Sequence, residues 1–315
     1  MDKISGVVCT FNEAENIPRL MESLKDCDEI LIFDDSSTDK TQELAKSLGA
    51  KVFTRNDKAF FPEEKDIADF KKRFGWLPRF TTKTRITDGN VTLNEAVSHA
   101  KNDWVFHPDA DEFVTWDFPE IQKMLPLCDQ IECMLVQSRN PDGTPLAHNN
   151  IIKLFRKSKS RWKGLTHTVV TGNNVKRIYT DKMKIDHHQK PKNRSNTLPF
   201  LEYSTLKFND PRSLFYLARE YFNYGEFKKA IKLYKQYLKV GWWEPEIVDA
   251  HIKLSKCYWK TMQGDKSRKH CLEAIRNNPQ CKEALSLMSV YYNEPWASKW
   301  KELSEHCTNQ DVLFK

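Results

Sequence analysis

Two aspartates set two residues apart, Asp109-Ala110-Asp111, follow a short apolar run, Trp104-Val105-Phe106. In a bend at a strand end, such carboxylates can converge on one hard divalent cation, Mg²⁺ or Mn²⁺, that keeps positions open for substrate phosphates. A second acidic pair, Asp34-Asp35, ends another apolar run, Ile30-Leu31-Ile32-Phe33. Taken alone, each pair reads equally well as a solvated surface loop. Together, on neighbouring strands, they would crowd like charges into one crevice, which needs a cation or hydrogen-bond donors in compensation.

The elements around these carboxylates must hold them at strand ends. Residues 6–10, 29–33 and 51–53 read as buried strands, with helices at 14–25 and 40–48 between them. Ser37 or Thr38 is placed to cap the second helix and Gly49 to stop it. A β-α-β-α-β order implies a parallel sheet with ligand chemistry at the carboxyl ends of its strands. Residues 56–90 show no clean period, carry Pro62 and Pro78, and are expected to form a partly helical insertion over the site. Beyond them come a helix at 93–100 and a strand at 103–108 that delivers Asp109 to Glu112. Strands at 131–138 and 150–156 follow, joined by the turn Asn140-Pro141-Asp142-Gly143, with shorter ones at 169–170 and 183–185.

From about Asp210 the pattern is helical only. Leu214, Leu217, Ala218, Tyr221, Gly225, Phe227, Ala230, Tyr234 and Leu238 follow the spacing of a 34-residue helix-turn-helix repeat. A degenerate second copy holds Leu254, Tyr258, Ala274 and Pro279, and a third begins near Ala284. The expected division is an α/β domain over 1–206 and an all-α helical-repeat domain over 207–315.

Several motifs, taken in order, resemble a known family. Val8-Cys9-Thr10-Phe11-Asn12-Glu13-Ala14-Glu15-Asn16 looks like the opening of family 2 glycosyltransferases of the GT-A fold. Ile32 to Thr41 resembles their second strand and nucleotide-binding turn, and Asp103-Trp104-Val105 leading to Asp109-Ala110-Asp111-Glu112 resembles their metal motif. Lys153-Leu154-Phe155-Arg156, then Trp162-Lys163-Gly164-Leu165-Thr166-His167, and Ile185-Asp186-His187 before the Leu-rich 198–206, resemble the branch with a tetratricopeptide tail. The resemblance spans nearly the whole chain. It implies a GT-A domain of mostly parallel sheet followed by a repeat tail, and an inverting, metal-assisted transfer from a nucleotide sugar, with UDP as the nucleotide.

The resemblance also implies roles. Thr10, Phe11 and Glu13 would line the nucleoside pocket with Asn94, and Asp34 or Asp35 would accept hydrogen bonds from base or ribose. Asp109 would lie by the ribose and the cation, Asp111 would ligate the cation, and His187 would add a further ligand; His188 matches less well. The sequence departs from the family at Leu93-Asn94, where Arg-Asn is usual, so a phosphate contact falls to Arg85 or Lys83. It departs again at His167-Thr168, where His-Glu is usual, and at His107-Pro108, where an apolar pair is usual. As the diphosphate leaves, the anomeric carbon gains oxocarbenium character. The attacking hydroxyl needs a base within hydrogen-bond reach, and His167, Glu112 and Asp186 are the candidates, in that order.

The composition fits these expectations. The chain has 315 residues, about two domains' worth, and its 18 Phe, 10 Tyr and 9 Trp supply buriable surface despite a mean hydropathy of −0.67. No long uncharged apolar run occurs, and Met1-Asp2-Lys3 opens no signal peptide, so a soluble cytoplasmic setting is expected. Eight cysteines without a CxxC pair read as reduced thiols. Residues 1–150 hold 18 basic and 27 acidic side chains, and residues 151–315 hold 32 and 16. An acidic front half suits a cation and a basic middle suits phosphates. The repeats suit a protein or peptide partner or a homo-oligomer contact. The acceptor is open: a glycan, a protein or a modified nucleic acid. Two other classes fit the same residues, an inactive relative serving as an adaptor and a nucleic-acid binder using 151–210.

Overall fold

A computed structural model describes residues 2–55, 61–86, 89–139, 145–164, 168–188, 197–208 and 210–307. The chain forms two compact units, one from residues 1–60 and 85–192, the other from 61–84 and 193–315.

The first unit is built on an eight-stranded mixed sheet. Its strands are β1 (Ile4–Thr10), β2 (Glu29–Asp34), β3 (Lys51–Thr54), β4 (Trp104–Phe106), β5 (Glu112–Trp116), β6 (Gln130–Arg139), β7 (Pro145–Arg156) and β10 (Arg177–His187). Their order is β3-β2-β1-β4-β7-β6-β10-β5. The stretch β3-β2-β1-β4 is parallel, as the alternation of strands and helices implied, and β10 runs parallel to β6. β7 and the edge strand β5 run antiparallel to their neighbours. Both faces are covered, so β1 is buried along nearly its whole length. Helix α1 (Ile17–Ser23) brings Ile17, Leu20 and Met21 to Ile4, Val8, Ile32 and Phe106 on one face. On the other face Ala96 and Val97 of α4 (Gly89–Ser98) meet Val7, Leu31, Val105 and Phe155. Trp162 joins them from β8 (Arg161–Lys163), which pairs only with the short β9 (Val169–Thr171).

Local differences from the sequence reading have local causes. Helix α1 starts at Ile17 because residues 13–16 form a turn, with Asn16 N–H donating to Glu13 C=O at 2.8 Å. Helix α2 (Thr41–Ser47) is held at its start by Asp39, whose Oδ1 accepts from Thr41 N–H at 3.0 Å, and neither Ser37 nor Thr38 serves there. The stretch expected as a short strand at 183–185 is an eleven-residue strand inside the sheet. Its charged alternate positions hid it, since only Thr180, Met183 and Ile185 are fully buried. Glu112 begins β5. The turn expected at 140–143 lies outside the described residues.

The second unit is helical: α3 (Glu64–Phe74), α6 (Thr197–Lys207), α7 (Pro211–Asn223), α8 (Phe227–Tyr237), α9 (Glu244–Lys260), α10 (Gly264–Asn277), α11 (Lys282–Tyr291) and α12 (Trp296–Glu305). The last six pack as α7/α8, α9/α10 and α11/α12, one pair for each repeat read in the sequence. Leu214, Leu217, Ala218, Tyr221, Ala230, Tyr234, Leu254 and Ala274 are buried as that spacing requires. Gly225 takes φ +74° at the α7–α8 turn, a conformation open to glycine. The insertion at 61–84 belongs to this unit. Buried Glu202 of α6 accepts from Arg79 N–H (2.5 Å), Phe80 N–H (3.3 Å) and the Tyr221 hydroxyl, and Trp76 Nε1 donates to Tyr221 Oη at 2.8 Å. Contacts therefore place the break between the units near residue 192, ahead of α6, where the change of pattern placed it at 206. Among the described residues, no helix is long and apolar enough to cross a membrane. All eight cysteines are unpaired thiols.

Between α9 and α10, His251 Nδ1 and His270 Nδ1 lie 3.0 Å apart, and the His270 ring stacks on Tyr258. Burial, with the charges of Lys269 and Lys235 adding to it, pushes His270 down to about 4, and burial lowers His251 as well. Unfolded, both would take protons below about pH 6.5. Their neutral packing is thus unopposed above pH 6.5 and is progressively lost as the pH falls from there toward 4. Urea unfolding at pH 7.5 and pH 5 should show a larger acid loss of stability in the wild type than in His270→Gln. Equal losses would remove this pair from the acid sensitivity.

Candidate active site

The turns after β1 and β2 are laced together. Thr10 Oγ1 donates to Asp34 Oδ2 at 3.0 Å, and Asp34 also accepts from Ser37 N–H (2.7 Å), Ser37 Oγ (2.5 Å) and Gln42 Nε2 (2.7 Å). Four donors fill the lone-pair sites of one carboxylate, and Asp34 is fully buried. It is a strut for its own turn, which leaves Asp35 as the member of the pair at the surface. The Asp35 side chain is 29% exposed and lies 2.7 Å from Arg55 Nη2. Across the gap, Asn12 N–H donates to Ser37 Oγ (2.8 Å), Thr38 N–H to Asn12 Oδ1 (2.9 Å) and Glu13 N–H to Thr41 Oγ1 (2.8 Å). Asn12 and Ser36 both sit at positive φ, 55° and 63°. Asn is among the side chains best suited to that region, and lacing on both sides holds the less usual Ser there. Glu13 Oε2 accepts from Asn16 Nδ2 at 2.6 Å, and Phe11 stands exposed at the tip.

The acidic loop after β4 is built around a lysine. Lys153 of β7, with 5% of its side chain exposed, lies 2.9 Å from Asp109 Oδ1 and 3.0 Å from Glu112 Oε2. Asp109 N–H donates to Glu112 Oε2 at 2.8 Å, and Glu112 N–H returns to Asp109 C=O at 3.0 Å. Burial raises the Glu112 carboxyl against the pull of Lys153. At Asp109 burial acts upward too, but Lys153 outweighs it and holds the group below the usual range. Glu112 is 2% exposed and occupied on its inner side, a strut where the sequence offered it as a base.

Asp111 meets β10. Its Oδ2 lies 3.3 Å from His187 Nε2, and His188 N–H donates to Asp111 C=O at 2.8 Å. The His187 side chain is 9% exposed, and among the described residues neither ring nitrogen has a hydrogen-bond partner. A buried imidazole left without donors or acceptors beside a carboxylate fits a divalent cation between them. Asp109 turns to Lys153, and among the described residues no three His, Cys, Asp or Glu side chains are gathered to hold a metal. Asp186 pairs in register with Phe113 and Val136, on the opposite face of β10 from His187, with Lys184 Nζ 3.5 Å away. The two loop systems share one end of the sheet: Cys9 lies in the fields of Asp35 and Arg55 and also of Asp109 and Lys153.

Asn94 faces β8. Its Nδ2 donates to Trp162 C=O and its Oδ1 accepts from Trp162 N–H, both at 2.9 Å, so both ends of the amide are spent holding that strand. Lys83 lies in the helical unit, and Arg85 opens the second segment of the sheet unit. His167 and the basic run 190–194 lie outside the described residues. A depression of about 400 Å³ lined by Asn94, Ser98, Lys157 and Arg161, among others, takes in none of the carboxylates above.

Three residues escaped the sequence reading as parts of the site. Lys153 stands alone among apolar neighbours in Ile151-Ile152-Lys153-Leu154-Phe155, and a lysine so placed signals a buried partner. His107, noted only as a departure, accepts the Trp162 indole N–H on Nδ1 at 2.9 Å. Indole nitrogen only donates, so the His107 proton sits on Nε2, and burial, helped by Lys153, pushes the ring down to about 3. Arg19 lies over Phe113 at 4.2 Å, with Nη1 3.3 Å from His188 Nδ1, and no spacing links it to β10.

Residues 5–60 match the glycosyl transferase family 2 model. An uncharacterized glycosyltransferase of Rickettsia bellii is 33% identical over 141 residues, 44% of this chain and 35% of that protein. The front of the chain is thus similar to glycosyl transferase family 2. A TPR repeat-containing protein of Synechococcus elongatus is 25% identical over 158 residues, 50% of this chain and 32% of that one. The chain thus spans about a third of the length of the curated relatives it matches. Glucosyl-3-phosphoglycerate synthase from Mycobacterium tuberculosis, solved with Mn²⁺, UDP-glucose and phosphoglyceric acid, is 19% identical with a TM-score of 0.28, over 42% of this chain and 44% of that one.

The two aspartates after β2 should respond differently to truncation. Asp34→Ala strands four donors and should cost about 2–4 kcal/mol of stability, while Asp35→Ala should cost under about 1 kcal/mol. Urea denaturation of the two variants checks this, and equal losses would contradict the assignment of Asp34 as the strut.

Proposed function

We propose that this protein is an inverting glycosyltransferase that moves a sugar from a nucleoside-diphosphate donor, UDP by family resemblance, to an acceptor hydroxyl. The observation that carries the reading is His187, buried and, among the described residues, without hydrogen-bond partners beside Asp111, at the sheet end where Phe11 is exposed and Asp35 partly exposed. Asp111 and His187 would hold a divalent cation, Mn²⁺ or Mg²⁺, which when bound offsets the charge that grows on the departing diphosphate. Asp35 accepts from the nucleobase or ribose, its direction fixed by Arg55, and Phe11 offers a ring face for the base. Thr10, Glu13 and Asn94 act at one remove: they shape the turns and β8 and so define the pocket. Asp109 meets the donor from the acidic loop.

The attacking hydroxyl loses its proton to a base on the face opposite the leaving group. Glu112 is enclosed by Lys153 and the Asp109 amide, and Asp186 lies on the other face of β10, so His167 takes the role. The helical unit presents the acceptor, or a partner that carries it, by the pairwise stacking that gives repeat proteins extended surfaces. Glycan, protein and modified nucleic acid remain the acceptor classes.

Purified protein with Mn²⁺ and a panel of nucleotide sugars should release nucleotide diphosphate from at least one donor. Asp111→Ala and His187→Ala should each lower that rate by about a hundredfold or more while leaving the circular dichroism unchanged. No release and no thermal shift with any donor would refute the reading, and full turnover in Asp111→Ala would refute the cation site.

A further inference from the structure

The acidic loop's shape depends on a residue from another strand. Lys153 sits on β7, between β4, whose loop carries the aspartates, and β6. Its backbone C=O accepts His107 N–H at 2.8 Å, which fixes the last turn of chain before the loop. Its ammonium reaches Asp109 at 2.9 Å and Glu112 at 3.0 Å and lies 5.4 Å from the centre of the Trp162 ring. Trp162 is itself fixed by His107 and by Asn94. The ammonium thus bridges two carboxylates beside a ring that other groups hold in place.

We propose that Lys153 is a positioning residue for this loop: by gripping Asp109 and Glu112 at once it turns Asp109 away from the cation, leaving that ion to Asp111 and His187 and Asp109 to the donor. One Asp109 oxygen is committed to the ammonium while the side chain as a whole is 60% exposed, so the carboxylate is anchored on one side and presented on the other. Asp111, two residues on, meets His187. Without the ammonium, Asp109 would swing free beside Asp111, and both carboxylates would compete for the cation.

This inference rests on the glycosyltransferase reading for its donor readout and on geometry alone for its cation readout. The test variant is Glu112→Gln with Lys153→Met, which removes the two deeply buried charges together and leaves the released Asp109 carboxylate on its exposed side. With native circular dichroism, it should raise the donor KM about tenfold or more with kcat within about threefold, and it should bind Mn²⁺ about threefold tighter by calorimetry. Lys153→Arg should keep both values within about threefold of wild type. Adding Asp109→Asn to the double variant should raise KM no further, because Lys153 acts through Asp109. Unchanged KM and unchanged Mn²⁺ affinity in the folded double variant would overturn the proposal, and so would Mn²⁺ binding that weakens in step with KM. Should the double variant fail to fold, Asp109→Asn decides: raised KM with near-native Mn²⁺ affinity supports the proposal, and a tenfold or greater loss of Mn²⁺ affinity overturns it. A wild type that turns over no nucleotide sugar would count against the function alone, and the Mn²⁺ measurements would then decide the role of Lys153.

Discussion

An ammonium buried between two carboxylates is a costly thing to build, and the sheet unit is arranged around one. Taking Lys153, Asp109 and Glu112 out of water is repaid only when the charges meet at hydrogen-bond distance and the remaining polar atoms are satisfied. Here the distances are 2.9 and 3.0 Å, and Glu112 also accepts the Asp109 amide. Removing Lys153 would leave Glu112 buried without its ion-pair partner. The arrangement therefore fixes where β4 and β7 stand relative to each other, and with them the bend that carries Asp111. An apolar substitute would pack as tightly but would not set the direction of a carboxylate.

The same logic operates at the neighbouring strand ends with neutral donors. Asp34 is accommodated in a fully buried position because four donors surround it, three of them from its own turn and the helix that follows. Asn12 then ties that turn to the one after β1. Two loops that would otherwise move independently become one rigid rim. Such rigidity favours ligand binding, because a ligand gains less when binding must first order the loops around it.

In the helical unit, Glu202 does for the insertion what Lys153 does for the acidic loop. A carboxylate buried in α6, its pKa raised by burial, draws in two backbone amides and the Tyr221 hydroxyl, and so pins residues 76–80 to α6 and α7. Apolar burial of Phe70, Phe74 and Phe80 supplies the attraction, and the hydrogen bonds supply the register.

Much of this was legible in the residues. Apolar runs were enough to place β1, β2 and β4, and the acidic pairs after the last two set Asp34, Asp35, Asp109 and Asp111 at their ends, since burial pattern and strand direction are local properties. The repeat spacing placed α7 to α12 for the same reason. What the sequence alone left open was set by contacts between distant segments. Nothing near position 153 says that its partners lie at 109 and 112, and nothing near 34 says that its carboxylate is enclosed by four donors while that of Asp35 meets Arg55. The eleven residues of β10 alternate charge with few buried positions, so only pairing with β6 and β5 makes them a strand. The insertion at 61–84 has no period of its own and takes its form from α6 and α7. Local pattern decides which segments are buried and where charges stand along the chain; the fold decides which of those charges face one another, because charge pairing depends on separations in space.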